Sequence, residues 1–281
     1  MAFASDQADT FSVVGNLATY AYRDFGKRSQ TPPLVLLQRF RGTMDHWDPA
    51  FLEPLAAQRR VILFDSAGVS ESSGRVPATI EAMADAAVDF LEAIGVTEAD
   101  LLGWSLGGFV AQVVALDRPD LVRRLIVAGS GPGGVPGSAE LDPRVPAMMT
   151  AEVSTEDDFL YLFFGENEES QQIGRESLAR LEPRLSTSKA EVTAEAWGNQ
   201  LAAIMRWGSG ERSAWSRLEE LKMPVLLANG AHDVMVDSGD SFAMARRMEN
   251  ATAVFYGDSG HGFLFQRPDE FARVVLDFLG D

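Results

Sequence analysis

The segment from Leu101 to Gly108 constrains this chain more than any other, because a G-x-S-x-G pattern coincides with a change of local structure. An apolar run precedes the pattern, and a helix-like run from Phe109 to Leu116 follows it. A strand that turns sharply into a helix holds its serine, here Ser105, in a strained conformation and exposes the hydroxyl above the sheet. A Cβ at Gly103 or Gly107 would clash with neighbouring backbone in such a turn. The helix then directs its first N–H groups and the positive end of its dipole at the group that the hydroxyl contacts.

Short apolar runs alternate with amphipathic segments along most of the chain. Such runs are typical of strands buried on both faces of a parallel sheet, and apolar residues at three- and four-residue steps predict helices. The predicted strands are 34–37, 61–64, 101–102, 125–128, 224–228 and 252–256, and the predicted helices are 49–58, 79–94, 107–116 and 269–279. Thr79 and Gly95 are the predicted first and last caps of the helix 79–94. Residues 10–23 are predicted to add leading antiparallel strands. The whole pattern predicts an α/β fold with a mostly parallel, doubly wound sheet.

Residues 132–218 interrupt this alternation. The segment begins with a stretch rich in Gly and Pro, contains no β-like run, and has amphipathic helical patterns at 156–164, 172–181, 189–206 and 214–221. We therefore predict a helical cap at 132–218, inserted between strands of a core that comprises 1–131 and 219–281. Most of its Met, Phe and Trp side chains are expected to pack the cap onto the core, and a few to line a pocket for an apolar ligand.

Composition and charge exclude several classes of function. The 281 residues include no Cys, which rules out disulfides, thiolate catalysis and zinc–thiolate sites. A formal net charge of −17 disfavours nucleic acid and anionic membranes as partners. No window approaches the roughly 18 apolar residues of a membrane span, and Met1 to Thr10 is unlike a signal peptide. We expect a cytoplasmic protein that acts on a small molecule with no metal or organic cofactor. A homo-oligomer is one candidate state that the sequence leaves open.

A serine hydroxyl is a poor nucleophile without an adjacent base, and the chain has three histidines. His261 follows the last predicted strand in a Gly-flanked loop, at the same edge of the sheet as Ser105. It is the predicted base, with a structural role in the turn as the alternative. Structural roles are favoured for His46 and His232, although His46 is also a candidate for the mouth of the site.

The base in turn needs a buried carboxylate that fixes its tautomer. Asp233 follows the strand 224–228 at the edge where sites in such sheets gather, and it is the predicted acid, with a turn-forming role as the alternative. Asp237 and Asp240 are rivals that lie further along the chain. The loop after the strand 125–128 offers no carboxylate.

These features together resemble the α/β-hydrolase fold family with a lid, over nearly the full chain. The order Ser105, Asp233, His261 is the nucleophile–acid–base order of that fold. The stretch from Asp65 to Ser72 is similar to the family's Asp-x-Arg-Gly-x-Gly-x-Ser loop. It departs from that loop at Ala67, where Arg is usual, and at Ser70, where Gly is usual.

A second loop is similar to the family's His-Gly-x oxyanion loop, which is followed by a Trp. Here the loop reads Gln38-Arg39-Phe40 with Trp47 after it, so that Gln38-Arg39 replaces His-Gly. The resemblance implies that the backbone N–H groups of Phe40 and Leu106 form the oxyanion hole.

Candidate substrate-pocket residues are Gln38, Arg39, Trp104 and His46. Arg39 and Arg41 have two interpretations. We favour surface ion pairs, because the protein is acidic. The alternative is attraction of a carboxylate or another anionic group of the substrate.

Ser105 narrows the chemistry that the resemblance implies. Epoxide hydrolases and haloalkane dehalogenases of this fold have an Asp in the strand-to-helix turn, at the position that Ser105 occupies here. A Ser at this position argues against both activities. It implies acyl transfer, in which a mostly apolar carboxylic ester or lactone is hydrolysed through an acyl-enzyme. Two alternatives use the same catalytic triad of Ser105, Asp233 and His261. One is a cofactor-free perhydrolase or haloperoxidase, and the other is a C–C hydrolase or lyase. A third is a non-catalytic ligand-binding protein, which the altered Gln38-Arg39 loop keeps open.

Overall fold

The computed structural model describes residues 3–188 and 190–280, which are organised around one eight-stranded sheet. The strands are β1 (Phe11–Val14), β2 (Thr19–Gly26), β3 (Leu34–Leu37), β4 (Arg60–Phe64), β5 (Ala99–Trp104), β6 (Val122–Ala128), β7 (Val225–Gly230) and β8 (Ala251–Tyr256). Their order across the sheet is β1-β2-β4-β3-β5-β6-β7-β8. Strand β2 is antiparallel to both neighbours, and the pairs from β4 to β8 are parallel. The predicted fold class and the leading antiparallel strands are confirmed.

Helices cover both faces of this sheet. They are α1 (Ala4–Gln7), α2 (Pro49–Ala56), α3 (Ile80–Ala93), α4 (Leu106–Asp117), α5 (Arg144–Met149), α6 (Glu156–Phe163), α7 (Glu168–Leu185), α8 (Ala194–Gly208), α9 (Ser238–Ala245), α10 (Phe263–Gln266) and α11 (Pro268–Leu279). Two short 3-10 helices occupy Met44–His46 and Trp215–Glu220. Within the described ranges, none of the helices combines the length and the apolar composition that crossing a bilayer requires.

The central strands are mostly apolar because neither face of the sheet meets water there. Every residue of β3 and of β5 is buried. Alternate side chains of a strand point to opposite faces. Val35 and Leu37 accordingly join the core beneath α3 and α4, while Leu34 and Leu36 join the core beneath α2 and α11. Continuous apolar runs therefore indicate parallel strands here, as predicted.

Helix α3 is bounded as its sequence predicts. The Thr79 hydroxyl accepts a hydrogen bond from the Ala82 N–H at 3.3 Å, and Gly95 has a φ of +73°, which suits the left-handed end of a helix.

Three predicted helices differ from the structure. The helix predicted at 172–181 is longer and spans Glu168–Leu185 as α7. The segment predicted at 214–221 forms only a 3-10 helix, Trp215–Glu220, and short 3-10 pieces are common in connections. The helix predicted at 189–206 begins at Ala194, because the Thr193 hydroxyl caps it through the Ala196 N–H. Lys189, its predicted start, lies outside the described residues.

The helices α5 to α8 lie between β6 and β7 in sequence, and the described part of 132–218 contains no strand. Polar contacts attach α7 to the segment before α2. Buried Asp48 accepts hydrogen bonds from the Ser177 hydroxyl at 2.6 Å and from Arg180 Nη2 at 2.7 Å. Buried Asp45 contacts Arg184 Nε at 3.0 Å. This arrangement supports a cap at 132–218, and the division into core and cap stays a prediction.

Candidate active site

The turn from β5 into α4 has the strained geometry that the G-x-S-x-G pattern predicts. Ser105 has φ +56° and ψ −120°, a conformation that residues with a side chain rarely adopt. Its N–H donates to the Ala128 carbonyl at 2.9 Å, and its own carbonyl accepts from the Ser130 hydroxyl at 2.8 Å. The end of β6 therefore holds the strained turn in place.

Two glycines allow this turn because backbone passes close to them. A Cβ at Gly103 would lie 2.2 Å from the Gly107 carbonyl oxygen, and a Cβ at Gly107 would lie 2.2 Å from the Leu37 carbonyl oxygen. Both approaches are far below van der Waals contact. The interpretation of the two glycines as close-approach positions is confirmed.

We expect Gly107→Ala to lower the free energy of unfolding by about 2–4 kcal/mol, because the new methyl group must displace the end of β3. The matched control is Gly198→Ala in α8, where a new Cβ has nothing within 4 Å. Alanine in that helix should raise stability by up to about 1 kcal/mol. Urea unfolding followed by circular dichroism measures both variants. Equal midpoints for the two would contradict the close packing at Gly107.

The loops after β7 and β8 bring a carboxylate and an imidazole together. His261 Nδ1 and Asp233 Oδ2 are 2.7 Å apart, and the two side chains are 1% and 0% exposed. The other carboxylate oxygen of Asp233 accepts the N–H groups of Met235 at 2.8 Å and Val236 at 2.9 Å. A carboxylate held in this way places the imidazole proton on Nδ1 and leaves Nε2 as the basic nitrogen.

The rival residues lie elsewhere. Asp237 caps α9 through the Gly239 N–H at 3.0 Å, and Asp240 accepts the Ser138 hydroxyl at 3.0 Å. The side chain of His232 is exposed. Among the described residues, the carboxylate in contact with His261 is that of Asp233.

Ser105 and His261 line the same cavity, but no hydrogen bond joins them. His261 Nε2 is fully enclosed and has no partner among the described residues. Hydrogen bonds of this type are often long or misaligned until a ligand binds. Trp104, directly before Ser105, links the two loops, because its Nε1 donates to the His261 carbonyl at 3.2 Å. The structure thus places all three predicted catalytic residues around one site. The hydrogen bond between Asp233 and His261 is formed, and the one between His261 and Ser105 is not.

The backbone N–H groups of Phe40 and Leu106 have no acceptor among the described residues. Leu106 is the first residue of α4, where N–H groups lack intrahelical partners. The next N–H in the other loop, that of Arg41, is by contrast bound to Gln200 Oε1 at 2.9 Å. Two unengaged donors are what an oxyanion hole needs, and this role stays a prediction.

A cavity of about 510 Å³ extends from Ser105 and His261 beneath the inserted helices. Its walls are mostly apolar, and much of them comes from α5 to α8: Met148, Met149, Phe159, Leu162, Phe163, Leu178, Leu181, Leu185 and Ile204. A cavity of this size and character suits a small organic ligand. In the part of the chain that the structure describes, no group of three or more His, Cys, Asp or Glu residues is placed to hold a metal ion.

Of the four predicted pocket residues, Arg39 and His46 line this cavity and the other two do not. Trp104 is completely buried at the end of β5, within a cluster of aromatic rings. The Gln38 side chain folds back onto its own loop, where its amide donates to the Thr43 carbonyl at 3.1 Å. Gln38 lines a separate cavity of about 30 Å³. Both side chains thus satisfy local packing rather than face a ligand.

His46 has a structural contact in addition to its place in the cavity wall. Its Nδ1 accepts the Thr43 N–H at 3.1 Å. Burial, with a smaller contribution from the charge of Arg39, lowers the pKa of His46 to about 3. The imidazole is therefore neutral at physiological pH.

The two arginines of the β3 loop do not form the surface ion pairs that we favoured from sequence. Arg39 Nη1 donates to the Phe40 carbonyl at 2.8 Å, and Arg41 Nη1 donates to the Ala151 carbonyl at 2.7 Å. Among the described residues, no carboxylate pairs with either guanidinium. The prediction was wrong because the loop turns inward and the inserted segment covers it.

Phe163 is a site residue that sequence reasoning missed. Its ring centroid is 5.6 Å from that of His261, and its carbonyl accepts the Gly262 N–H. The end of α6 thereby supports the histidine loop. No local sequence signal marks this contact, because α6 and the histidine loop are far apart along the chain.

Comparison with known proteins adds a family match. A family model described as alpha/beta hydrolase fold matches residues 32–268. A solved structure, an alpha/beta hydrolase fold protein from Chitinophaga pinensis, is similar with 33% identity and a TM-score of 0.89, over 99% of each chain.

Two of the sequence relatives have names that state an activity. One is "Putative carbamate hydrolase RutD" from Caulobacter sp. strain K31, which is 25% identical over 261 residues, covering 90% of this chain and 92% of that protein. The other is 2-hydroxymuconate semialdehyde hydrolase from Pseudomonas sp. strain CF600, which is 28% identical over 235 residues, covering 81% and 78%. The similarity in both cases extends over most of the chain.

Proposed function

We propose that this chain, which belongs to the α/β-hydrolase fold family, is a serine hydrolase that cleaves a carboxylic ester or lactone. One observation carries the proposal: His261 Nδ1 lies 2.7 Å from Asp233 Oδ2, and His261 lines the same cavity as the strained Ser105. The three residues come from loops after three different strands, at the edge of the sheet where sites of such folds gather.

In the proposed reaction, Ser105 Oγ attacks the substrate carbonyl carbon and His261 Nε2 takes the hydroxyl proton. The C–O bond to the leaving alcohol then breaks, and the imidazolium returns the proton to that alcohol. A water molecule gives a proton to His261 and attacks the acyl carbon. The bond from that carbon to Ser105 Oγ then breaks, His261 returns the proton to Oγ, and the acid is released. Asp233 keeps its negative charge throughout and stabilises the imidazolium.

The N–H groups of Phe40 and Leu106 are the proposed donors to the oxyanion of each tetrahedral intermediate. They act through the backbone, so replacing His-Gly by Gln38-Arg39 leaves the donor itself in place. Losing one such donor typically costs about 2.7–4 kcal/mol of transition-state stabilisation. Their unengaged state among the described residues supports this role.

Hydrolysis of a C–C bond is a second candidate. It is favoured by the relative named 2-hydroxymuconate semialdehyde hydrolase, whose named substrate contains no ester. The same nucleophile, base and oxyanion donors would serve this reaction, but the leaving carbon takes the electron pair of the broken C–C bond and must receive a proton. Substrate assays are therefore needed to separate the two.

A fluorophosphonate probe and a substrate panel test the proposal. We expect the probe to add one phosphonyl group at Ser105, located by peptide mass spectrometry. The panel contains esters, lactones, a vinylogous diketone for C–C cleavage, and acetate with hydrogen peroxide for perhydrolysis. We expect turnover of the esters or the lactones. Turnover confined to the diketone would contradict the ester proposal in favour of C–C hydrolysis, and turnover confined to acetate with peroxide would contradict it in favour of perhydrolysis. Absence of both labelling and turnover would favour a ligand-binding protein.

A further inference from the structure

The Arg39 guanidinium lies in the wall of the cavity and has no counter-ion among the residues that the structure describes. The chain has 41 acidic residues against 24 Lys and Arg, so a carboxylate would be easy to supply. The one acidic residue in the cavity wall, among the described residues, is Glu156, which pairs with Arg175 at 3.2 Å instead. Arg41, which also lines the cavity, adds a second positive charge that contacts carbonyl oxygens.

The hydrogen bonds of Arg39 are incomplete. Nη1 donates to the Phe40 carbonyl, but Nε is fully enclosed with no partner. Nη2 also has no partner among the described residues and is not fully enclosed, and Arg39 lines the cavity. The rings of Phe163 and Trp104 attract the guanidinium through cation–π contacts, but they do not fully satisfy its N–H donors.

Burying the positive charge of Arg39 with incomplete hydrogen bonds costs free energy. Burial, and then the charge of Arg41, lower the pKa of Arg39 to about 10, which still leaves the side chain charged at neutral pH. An anion in the cavity would offset both effects, since it would supply the missing acceptor and the missing opposite charge.

The guanidinium and the His261 imidazole pack against the same two aromatic rings. Its carbon is 4.9 Å from the ring centroid of Phe163 and 5.6 Å from that of Trp104. The imidazole centroid of His261 is 5.6 Å and 5.8 Å from the same two rings. Arg39 directly precedes Phe40, the proposed oxyanion donor. A group bound to this guanidinium would therefore share the end of the cavity that holds His261 and Ser105.

We propose that Arg39 is a specificity-determining residue that binds a substrate carboxylate. The substrate class is then monoesters of short dicarboxylic acids, in which a free carboxylate lies close to the scissile carbonyl. The inference rests on the hydrolase function proposed above and narrows it. The apolar part of the substrate extends beneath α5 to α8, where the cavity wall is hydrophobic.

Matched substrates test the carboxylate directly. We would compare monomethyl succinate, glutarate and adipate with neutral methyl esters in which an isopropyl group replaces each carboxylate. The measured quantity is the ratio of kcat/KM for the anionic ester to that for its neutral counterpart. We expect the wild type to favour an anionic ester, and Arg39→Gln to lower this ratio by about 10- to 100-fold, as for loss of a charge-assisted hydrogen bond.

Two further variants make the result specific. Arg39→Lys keeps the charge without the planar fork and should recover part of the ratio. Arg206→Gln removes the same charge from an exposed position on α8 and should leave the ratio at the wild-type value. A purely structural role for Arg39 would lower kcat/KM for both esters equally, and an unchanged ratio in Arg39→Gln would overturn the proposal.

Binding of the free diacids separates this proposal from the hydrolase function. Succinate, glutarate and adipate need no turnover, and calorimetry measures their Kd. We expect one of them to bind the wild type, and to bind Arg39→Gln about 10- to 100-fold more weakly. If no ester is hydrolysed but this difference holds, the hydrolase function fails and the anion site stands. If no diacid binds, or if Arg39→Gln binds equally well, the anion site is disproved.

Discussion

Ser105→Ala should reduce kcat/KM for the best ester substrate by about 10⁴- to 10⁶-fold, because no other group replaces the attacking hydroxyl. A residual rate above that of water is expected, since the cavity and the oxyanion donors remain. Steady-state kinetics on the substrate that the panel identifies gives the number. Phosphonate labelling should disappear in the same variant. Retention of the wild-type rate would show that Ser105 is not the nucleophile.

A second substitution separates chemistry from folding. Ser105 has a φ of +56°, where glycine is unstrained. Ser105→Gly should therefore be as inactive as Ser105→Ala, with a free energy of unfolding equal to or up to about 1 kcal/mol above that of the wild type. Ser209→Ala, at an exposed position after α8, is the matched control and should retain wild-type activity and labelling.

Asp233→Asn should lower kcat by about 10⁴-fold with little change in structure. The amide oxygen can still accept the N–H groups of Met235 and Val236, which Asp233 Oδ1 now accepts at 2.8 and 2.9 Å. The amide nitrogen then faces His261 Nδ1 and donates to it. This moves the ring proton to Nε2, the nitrogen that must receive the proton of Ser105.

Asp237→Asn is the control for this change. Asp237 caps α9 through the Gly239 N–H, and asparagine caps helices about as well as aspartate. We expect it to keep kcat within about threefold and to unfold at a similar temperature. A large loss in Asp237→Asn, or a small one in Asp233→Asn, would reassign the acid.

The strands of the fold could be predicted because their signal is local. The run from Leu34 to Leu37 is apolar at every position, and this pattern needs no knowledge of distant residues. Very short elements carry a weaker signal, and neither α5 nor α10 was predicted, since six and four residues leave too few turns for a clear period.

The pocket could be predicted only in part. Arg39 and His46 line the cavity, whereas Trp104 and Gln38 turn away from it. Which way a side chain points depends on what packs against its loop, and here that is the inserted segment. Arg41 shows the same dependence, because its guanidinium contacts the carbonyls of Met149 and Ala151 rather than a surface carboxylate.

The sequence by itself determined the doubly wound α/β sheet, the strand-to-helix turn at Ser105 and the strand ends that carry Asp233 and His261. These follow from hydrophobic period, from glycines where a Cβ cannot fit, and from the rule that parallel strands end at one edge. Only the tertiary structure decided the partner of His261, the walls of the cavity and the surroundings of Arg39. Those depend on contacts between segments far apart along the chain, where local propensity carries no information and packing alone selects the neighbours.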